Sequence, residues 1–493
     1  MEKIKKEDIQ TEDIYYNELI TFLKDKPEFD DLLLFFLNCG NNEGKILFDY
    51  LKTRISLIEK DIIHFININN SIKTDKFFQK IIEKNIIYLN EDFRIQYFYS
   101  ILLNMEYRFI KKDITIDRLN KALTFKEKFN ENKIPDIHLS ETIFGQLFHS
   151  LGDLSGNEFL REKGAKMFRV KLKDERAIDV GGPYSEILSD ICDDLQSDYV
   201  DLFIKTPNNK YDNGELRDRY IINPNCNNIN HKKAFEFIGK LMILAISSGE
   251  TLNLNLHPII WKSLLENQIT FKEYETIDYY FYNTIEKVKE GFYKKDKNLI
   301  DSLDLNFVIK NSNEKDIELI KNGQDIKVTL ENVEKFIDLA QSMRLNEINE
   351  QNKCIKNGLY SAIGKIILQL LNWKQLEEMV CGEAKFDIVD FKKHTKYINC
   401  NSNDEIIKWF WEWLENCKEE YKFKYLKFVS GRSRLPKSNY THTLNVFNDK
   451  TKFPVSHTCF STLDLPRYDS KTVLIEKMKY VIENVTSIND EEI

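Results

Sequence analysis

FPVSHTCFSTLDLPRY, residues 453–468, sets a histidine and a cysteine two positions apart between two prolines. Pro454 and Pro466 fix φ and lack an N–H, so the segment reads as a surface loop more than a core strand. A thiol there can meet a partner. If the backbone is extended, His457 and Cys459 point to the same side. A neighbouring imidazole can then take or return a proton, or lower a thiol pKa from its usual ~8.5. Alone, the signal is weak: such a pair is more often a structural cysteine, the default reading given to Cys39, Cys192, Cys226, Cys354, Cys381, Cys400 and Cys417.

Outward from this segment, Thr443 to Val446 and Phe453 to Leu465 are expected to be extended. The last helix starts near Ser470, with Leu474, Met478, Val481 and Ile482 on one face. Upstream, a helical stretch ends near Gly431, and an amphipathic helix carries Ile406, Phe410, Trp413 and Leu414 on one side, with Asn403 as its cap. YINCNSN (Tyr397–Asn403) has no periodicity and is rich in Asn, which suits a flexible joint. A small α/β domain over 399–493 follows. Further back, 232–248 is apolar on nearly all sides, as in a buried helix. Ile326 to Thr329 reads as a short strand and Glu331 to Met343 as a helix. Residues 1–138 read as all-α, with helical patterns over Asp31–Asn38, Lys76–Leu89 and Phe93–Met105. A break follows at Asn132–Ser140, around Pro135.

The chain has 493 residues, room for roughly three domains of ~150 residues. Its composition, 42% hydrophobic and 30% charged, supports a packed core. A net charge of −8 argues against a non-specific nucleic-acid binder. MEKIKKEDIQ has no apolar signal region, and Leu32 to Leu37 is far short of the ~20 residues a spanning helix needs. No two of the eight cysteines form a C-x-x-C pair, so neither a zinc site nor a redox dithiol is expected. A reduced, cytoplasmic protein is expected, with no membrane insertion and neither metal nor cofactor. There is no Walker loop and no G-x-G-x-x-G after a strand, Gly181-Gly182 fits a tight turn, and Ser433 lies outside any G-x-S-x-G elbow.

His457-Thr458-Cys459-Phe460 with Leu463-Asp464-Leu465-Pro466-x-Tyr468 resembles the signature around the acceptor cysteine of HECT ubiquitin ligases. Leu376-Glu377 to Val380-Cys381-Gly382, Trp409-Phe410-Trp411 and Phe428-Val429-Ser430-Gly431-x-Ser433-x-Leu435-Pro436 are similar to further family stretches in the same order. So are Phe168-Arg169-Val170-Lys171, Ala177-Ile178-Asp179-Val180-Gly181-Gly182-Pro183-Tyr184, Phe237-Ile238-Gly239-Lys240-Leu241, and Val328-Thr329 with Asn332. The resemblance covers about residues 139–493 and is nearest to the large HERC-like subgroup.

The resemblance implies an α+β fold: a bilobal HECT unit with a large, mostly helical N-lobe (139–398) and a small α/β C-lobe (399–493), preceded by the all-α region 1–138. That region is a candidate partner or substrate module. The resemblance also implies that Cys459 accepts ubiquitin as a thioester from a conjugating enzyme and passes it to a substrate lysine. His457 and Thr458 would flank and assist, and Phe460 would anchor the loop. Asp464 would be a turn residue, or an acid orienting the incoming lysine. Asn399 and Asn401 would lie in the hinge. The conjugating enzyme would dock between 262 and 308, where Tyr279, Tyr280, Phe281 and Tyr282 offer aromatic surface; most of the four are expected to pack inward. The chain departs from the family at Ser185, where Arg usually precedes Glu186. The joint lacks the usual glycines, Ser438-Asn439-Tyr440 replaces a common Gly-Phe, and the phenylalanine near the terminus is absent. Two other readings use the same residues: a cysteine peptidase pairing Cys459 with His394, His442 or His457, and a non-catalytic adaptor that kept the fold.

Overall fold

The structure, a computed structural model, describes residues 91–103, 105, 112–118, 141–173, 182–383, 385–432, 434–435, 440–458 and 461–484. The chain divides into two compact units: residues 1–105 with 369–371, and residues 106–368 with 372–493. Of the first, helix α1 (Glu91–Leu103) is described, close to the expected Phe93–Met105. The expected helices over Asp31–Asn38 and Lys76–Leu89, and the break at Asn132–Ser140, lie outside the described residues.

In the second unit, strand β1 (Lys112–Ile116) pairs in parallel with β2 (Phe168–Leu172). This corrects both the all-α reading of residues 1–138 and a boundary at 138. KDITI alternates, with Ile114 and Ile116 buried, and that period of two is a strand's. Helix α2 (Ile143–Leu151) packs against β1 and against α3 (Gly182–Leu195), which Gly182 opens; Gly181 lies outside the described residues. The hairpin β3 (Phe203–Lys205) with β4 (Tyr220–Ile222) leads into α4 (Ile229–Ser248), the expected buried helix.

Thirteen of the twenty residues of α4 are buried. The next helices are α5 (Pro258–Leu264) and α6 (Tyr279–Lys294), then the hairpin β5 (Val308–Lys310) with β6 (Asp316–Glu318). Helices α7 (Val333–Asn346), α8 (Asn349–Tyr360) and α9 (Trp373–Cys381) complete this body. Helices α4 and α8 meet backbone to backbone. A Cβ at Gly239 would run into the Ile355 carbonyl, and one at Gly358 into the Glu236 carbonyl.

Where a strand is expected at Ile326–Thr329, a single bridge forms, Asn306 to Lys327. The Asn332 side chain takes the ladder's groups: it accepts from Thr329 N (2.8 Å) and donates to the Lys327 carbonyl (3.0 Å). Buried Arg344 on α7 ties this region together. It donates to Asp278 (3.1 Å), the Lys310 carbonyl (3.1 Å) and Ser312 (3.0 Å), and pairs with Glu347 (3.3 Å).

The C-terminal part begins earlier than expected. Helices α10 (Ile388–Lys393), α11 (Glu405–Asn416), α12 (Glu419–Ser430) and α13 (Lys471–Asn484) surround a four-stranded sheet. Its strands are β7 (Thr395–Ile398), β8 (His442–Phe447), β9 (Val455–His457) and β10 (Thr462–Pro466), in the order β7-β8-β10-β9. One apolar core runs from Phe386 to Ile482, including all the residues expected on the inner faces of α11 and α13. Asp404, not Asn403, is the N-cap residue of α11, and Gly431 closes α12 at φ +70°.

The expected boundary at 398/399 therefore falls inside one packed unit, because β7 before it is laddered to β8. The passage between cores lies at 382–385. Cys381 is still held in the body, its Sγ 3.5 Å from the Leu254 carbonyl, whereas Phe386 already belongs to the C-terminal core. Gly382 stands at φ +81°, and a Cβ there would lie 2.6 Å from the Leu435 carbonyl, so this passage needs its glycine.

Candidate active site

Strands β9 and β10 form an antiparallel pair with His457 opposite Thr462, so residues 458–461 make the connection. Strands thus flank the connection on both sides, as the extended reading of Phe453–Leu465 expects. Pro454 precedes an edge strand and Pro466 ends an inner one, positions where a missing N–H costs little. Thr458 and Ser461 bracket the connection; Cys459 and Phe460 lie outside the described residues. Ser461 stands at φ +47°, donates to the Thr458 carbonyl (3.3 Å), and accepts from Thr443 N of β8 (2.9 Å). The ends of the turn are therefore fastened to the sheet.

A row of side chains crosses the sheet to His457. Asn399 Nδ2 donates to Asn445 Oδ1 (2.9 Å), Asn445 Nδ2 to Asp464 Oδ1 (2.8 Å), and Asp464 Oδ2 lies 2.8 Å from His457 Nε2. A carboxylate only accepts, so Nε2–H donates and Nδ1 is left facing away from Asp464. Asp464 is a strand residue, not the expected turn residue, and Asn399 belongs to this row. Asn401 holds the turn before α11, bonding Asp404 (2.9 Å) and accepting from Asn403 N (2.9 Å).

Thr458 reaches the body: its Oγ1 donates to Glu186 Oε1 of α3 (3.1 Å). The C-terminal core meets the body through other polar contacts as well. Lys427 pairs with Asp193 (3.0 Å), Arg432 with Glu250 (2.8 Å), and Arg434 donates to Asn255 (2.7 Å).

The six described cysteines all have pKa values raised by burial. Cys226 and Cys381 are pushed up to about 12. A thiol held protonated is a poor nucleophile. His442 is fully buried with both ring nitrogens engaged, by Thr395 Oγ1 (2.9 Å) and the Tyr425 hydroxyl (2.7 Å), and burial lowers its pKa to about 3. His394 lies against Tyr440, with Nδ1 2.9 Å from the Asp390 carbonyl.

The aromatic run opens α6, capped by Asp278. Tyr279 and Tyr280 are exposed, at 36% and 58%, so half the run faces water where most of it was expected inside. Phe281 lies under the Arg344 guanidinium and Tyr282 against Phe271. Exposed Tyr211 meets Tyr280 edge-on at 6.2 Å and extends the patch.

Among the described residues, no helix is long and apolar enough to cross a membrane.

A family model described as HECT-domain (ubiquitin-transferase) matches residues 189–489. The chain belongs to the HECT-domain family. The E3 ubiquitin-protein ligase HERC2 of Mus musculus is 30% identical to this HECT chain over 362 residues, 72% of the chain and 7% of HERC2. The E3 ubiquitin-protein ligase pub3 of Schizosaccharomyces pombe is 31% identical over 285 residues, 55% of the chain and 36% of pub3. The E3 ubiquitin-protein ligase NEDD4 of Homo sapiens is 29% identical over 333 residues, 64% of the chain and 24% of NEDD4. The HECT chain thus spans well under half the length of each of these relatives.

Sequence reading singled out His457, Thr458 and Cys459, but it did not connect Asn445 or Glu186 with them, and of its two readings of Asp464 the turn gives way to a strand. The strand period offered one signal: in a tight hairpin, 457 and 464 fall on one face.

Proposed function

We propose that this HECT chain is a ubiquitin ligase that accepts ubiquitin from a conjugating enzyme as a thioester on Cys459 and transfers it to a substrate lysine. The family membership supports the reaction class. The observation that carries the residue assignment is the β9–β10 connection, the stretch with the family's His-Thr-Cys-Phe sequence, set next to an imidazole already oriented by Asp464. Thiol-to-thioester exchange is nearly balanced in energy, so positioning sets its rate. His457 Nδ1 can take a proton from the thiol or from the incoming ammonium.

The chain works in two lobes, with residues 386–484 swinging about 382–385. Ion pairs and hydrogen bonds join the two cores, and such contacts release in water more readily than an apolar seam does. The conjugating enzyme docks on the Tyr279–Tyr280 surface. A peptidase pairing Cys459 with His442 or His394 has less support, because both His442 nitrogens are already bonded and His394 is held by Tyr440 and Asp390; one pairing it with His457 is separated from the ligase by the adduct test.

A conjugating enzyme charged with ubiquitin, mixed with the chain, should give an adduct that reductant removes. It should be absent in Cys459→Ala and resist reductant in Cys459→Ser. Peptide cleavage without an adduct would favour the peptidase, and neither activity across a panel of conjugating enzymes would favour an adaptor.

A further inference from the structure

The family resemblance sets an arginine before Glu186, and this chain has Ser185 there. A guanidinium nevertheless reaches Glu186, from another part of the chain. Arg118 Nη1 lies 3.3 Å from Glu186 Oε2 and 3.8 Å from Asp190 Oδ2. Arg118 lies upstream of the matched family range and directly after β1, where the backbone is pinned on two sides. Asp117 N donates to Gln146 Oε1 (2.8 Å) and the Gln146 amide returns a bond to the Asp117 carbonyl (3.1 Å); Lys173 N donates to the Ile116 carbonyl (2.9 Å). The arginine is therefore presented from a fixed point.

Glu186 and Asp190 stand one turn apart on α3, and two carboxylates at that spacing repel. Arg118 lies within reach of both, which offsets the repulsion and orients Glu186. The carboxylate has two oxygens and uses each for a different task. Oε2 takes Arg118, and Oε1 accepts from Thr458 Oγ1, the residue that directly precedes Cys459.

We propose that Arg118 is a positioning residue for the transfer chemistry: by holding Glu186, it fixes Thr458 and with it the approach of the cysteine-bearing connection to α3. This rests on the transfer reading above. The pair is about a quarter to a third exposed, with side-chain exposures of 27% and 32%, so it adds little to overall stability, and its loss leaves the chain folded.

The test uses the full chain with Arg118→Ala, Arg118→Lys, Glu186→Gln and the double variant Arg118→Ala/Glu186→Gln. Two readouts are taken: amide hydrogen exchange in the peptide covering 455–463, and single-turnover discharge of preloaded ubiquitin to lysine. Arg118→Ala and Glu186→Gln should each speed exchange and slow discharge by about fivefold, the scale of one partly exposed charge-assisted hydrogen bond. The double variant should match either single one, Arg118→Lys should stay close to the parent, and the melting temperature should hold throughout. Unchanged exchange in Arg118→Ala overturns the proposal, and so do effects that multiply in the double variant. If the parent chain forms no thioester, the proposed function falls, while the exchange measurement still decides the tether.

Discussion

Acid should loosen the C-terminal core through His442. The imidazole is wholly buried and its pKa is lowered to about 3 by desolvation. In an unfolded chain the same group titrates near 6.5. As pH falls below that value, the unfolded state takes up a proton that the folded state refuses, so stability present above about pH 6.5 drains away as pH approaches 3. Between pH 7 and pH 5 the loss comes to about 2 kcal/mol, a figure that hardly changes while the folded pKa stays well below 5. Urea unfolding at both pH values, followed by tryptophan fluorescence, reads this directly. Trp409, Trp411 and Trp413 all sit on α11, and the Trp411 ring lies 6.3 Å from His442. The matched variant is His442→Gln. It loses one or both of the bonds to Thr395 and Tyr425, of which Thr395 keeps the Phe391 carbonyl (2.8 Å) and the Tyr425 hydroxyl can be stranded, and should begin about 1–3 kcal/mol less stable. Its own loss between pH 7 and pH 5 should be about 2 kcal/mol smaller than the parent's, because carboxylates that titrate in both chains cancel. Equal losses in the two chains would refute the reasoning.

Arg344→Met should cost about 3–5 kcal/mol, because Asp278 and Glu347 would be left without their buried cation; a urea midpoint close to the parent's would sink the idea that this arginine ties α6 to α7. Gly358→Ala drives a methyl into the Glu236 carbonyl and should lower stability by about 1–3 kcal/mol in the same assay. Tyr280→Ala should weaken conjugating-enzyme binding by about tenfold, as an exposed aromatic anchor does, while leaving the melting temperature unchanged. Equal affinity in titration calorimetry would move the docking surface elsewhere.

The sequence was most readable where each residue's environment follows from its near neighbours. The apolar run 232–248 can satisfy its side chains only by burial all round, and the structure buries it as α4. Positions 406, 410, 413 and 414 share a face by helical geometry alone, and all four enter one core. Failures came where a distant partner decides. KDITI is too short to declare itself until β2 lies beside it. YINCNSN looks like a joint because its asparagines lack periodicity, yet Tyr397 and Ile398 are laddered to Leu444 and Asn445, more than forty residues on.

The candidate site follows the same division. His-Thr-Cys-Phe is a local signature, and a local signature can be read. What orients it is not local: Asp464 reaches His457 only because the β9–β10 register sets them diagonally on one face, and Glu186 meets Thr458 across 272 positions. Asp464 shows why residue type alone misleads. An aspartate between Leu463 and Leu465 looks like punctuation, but in a strand those two leucines point into the core, and the residue between them must point away. The buried leucines therefore aim the carboxylate at His457. The same alternation that builds the core also sets the imidazole's tautomer. A substitution that merely repacked Leu463 or Leu465 could disturb proton handling at the site without touching any polar residue.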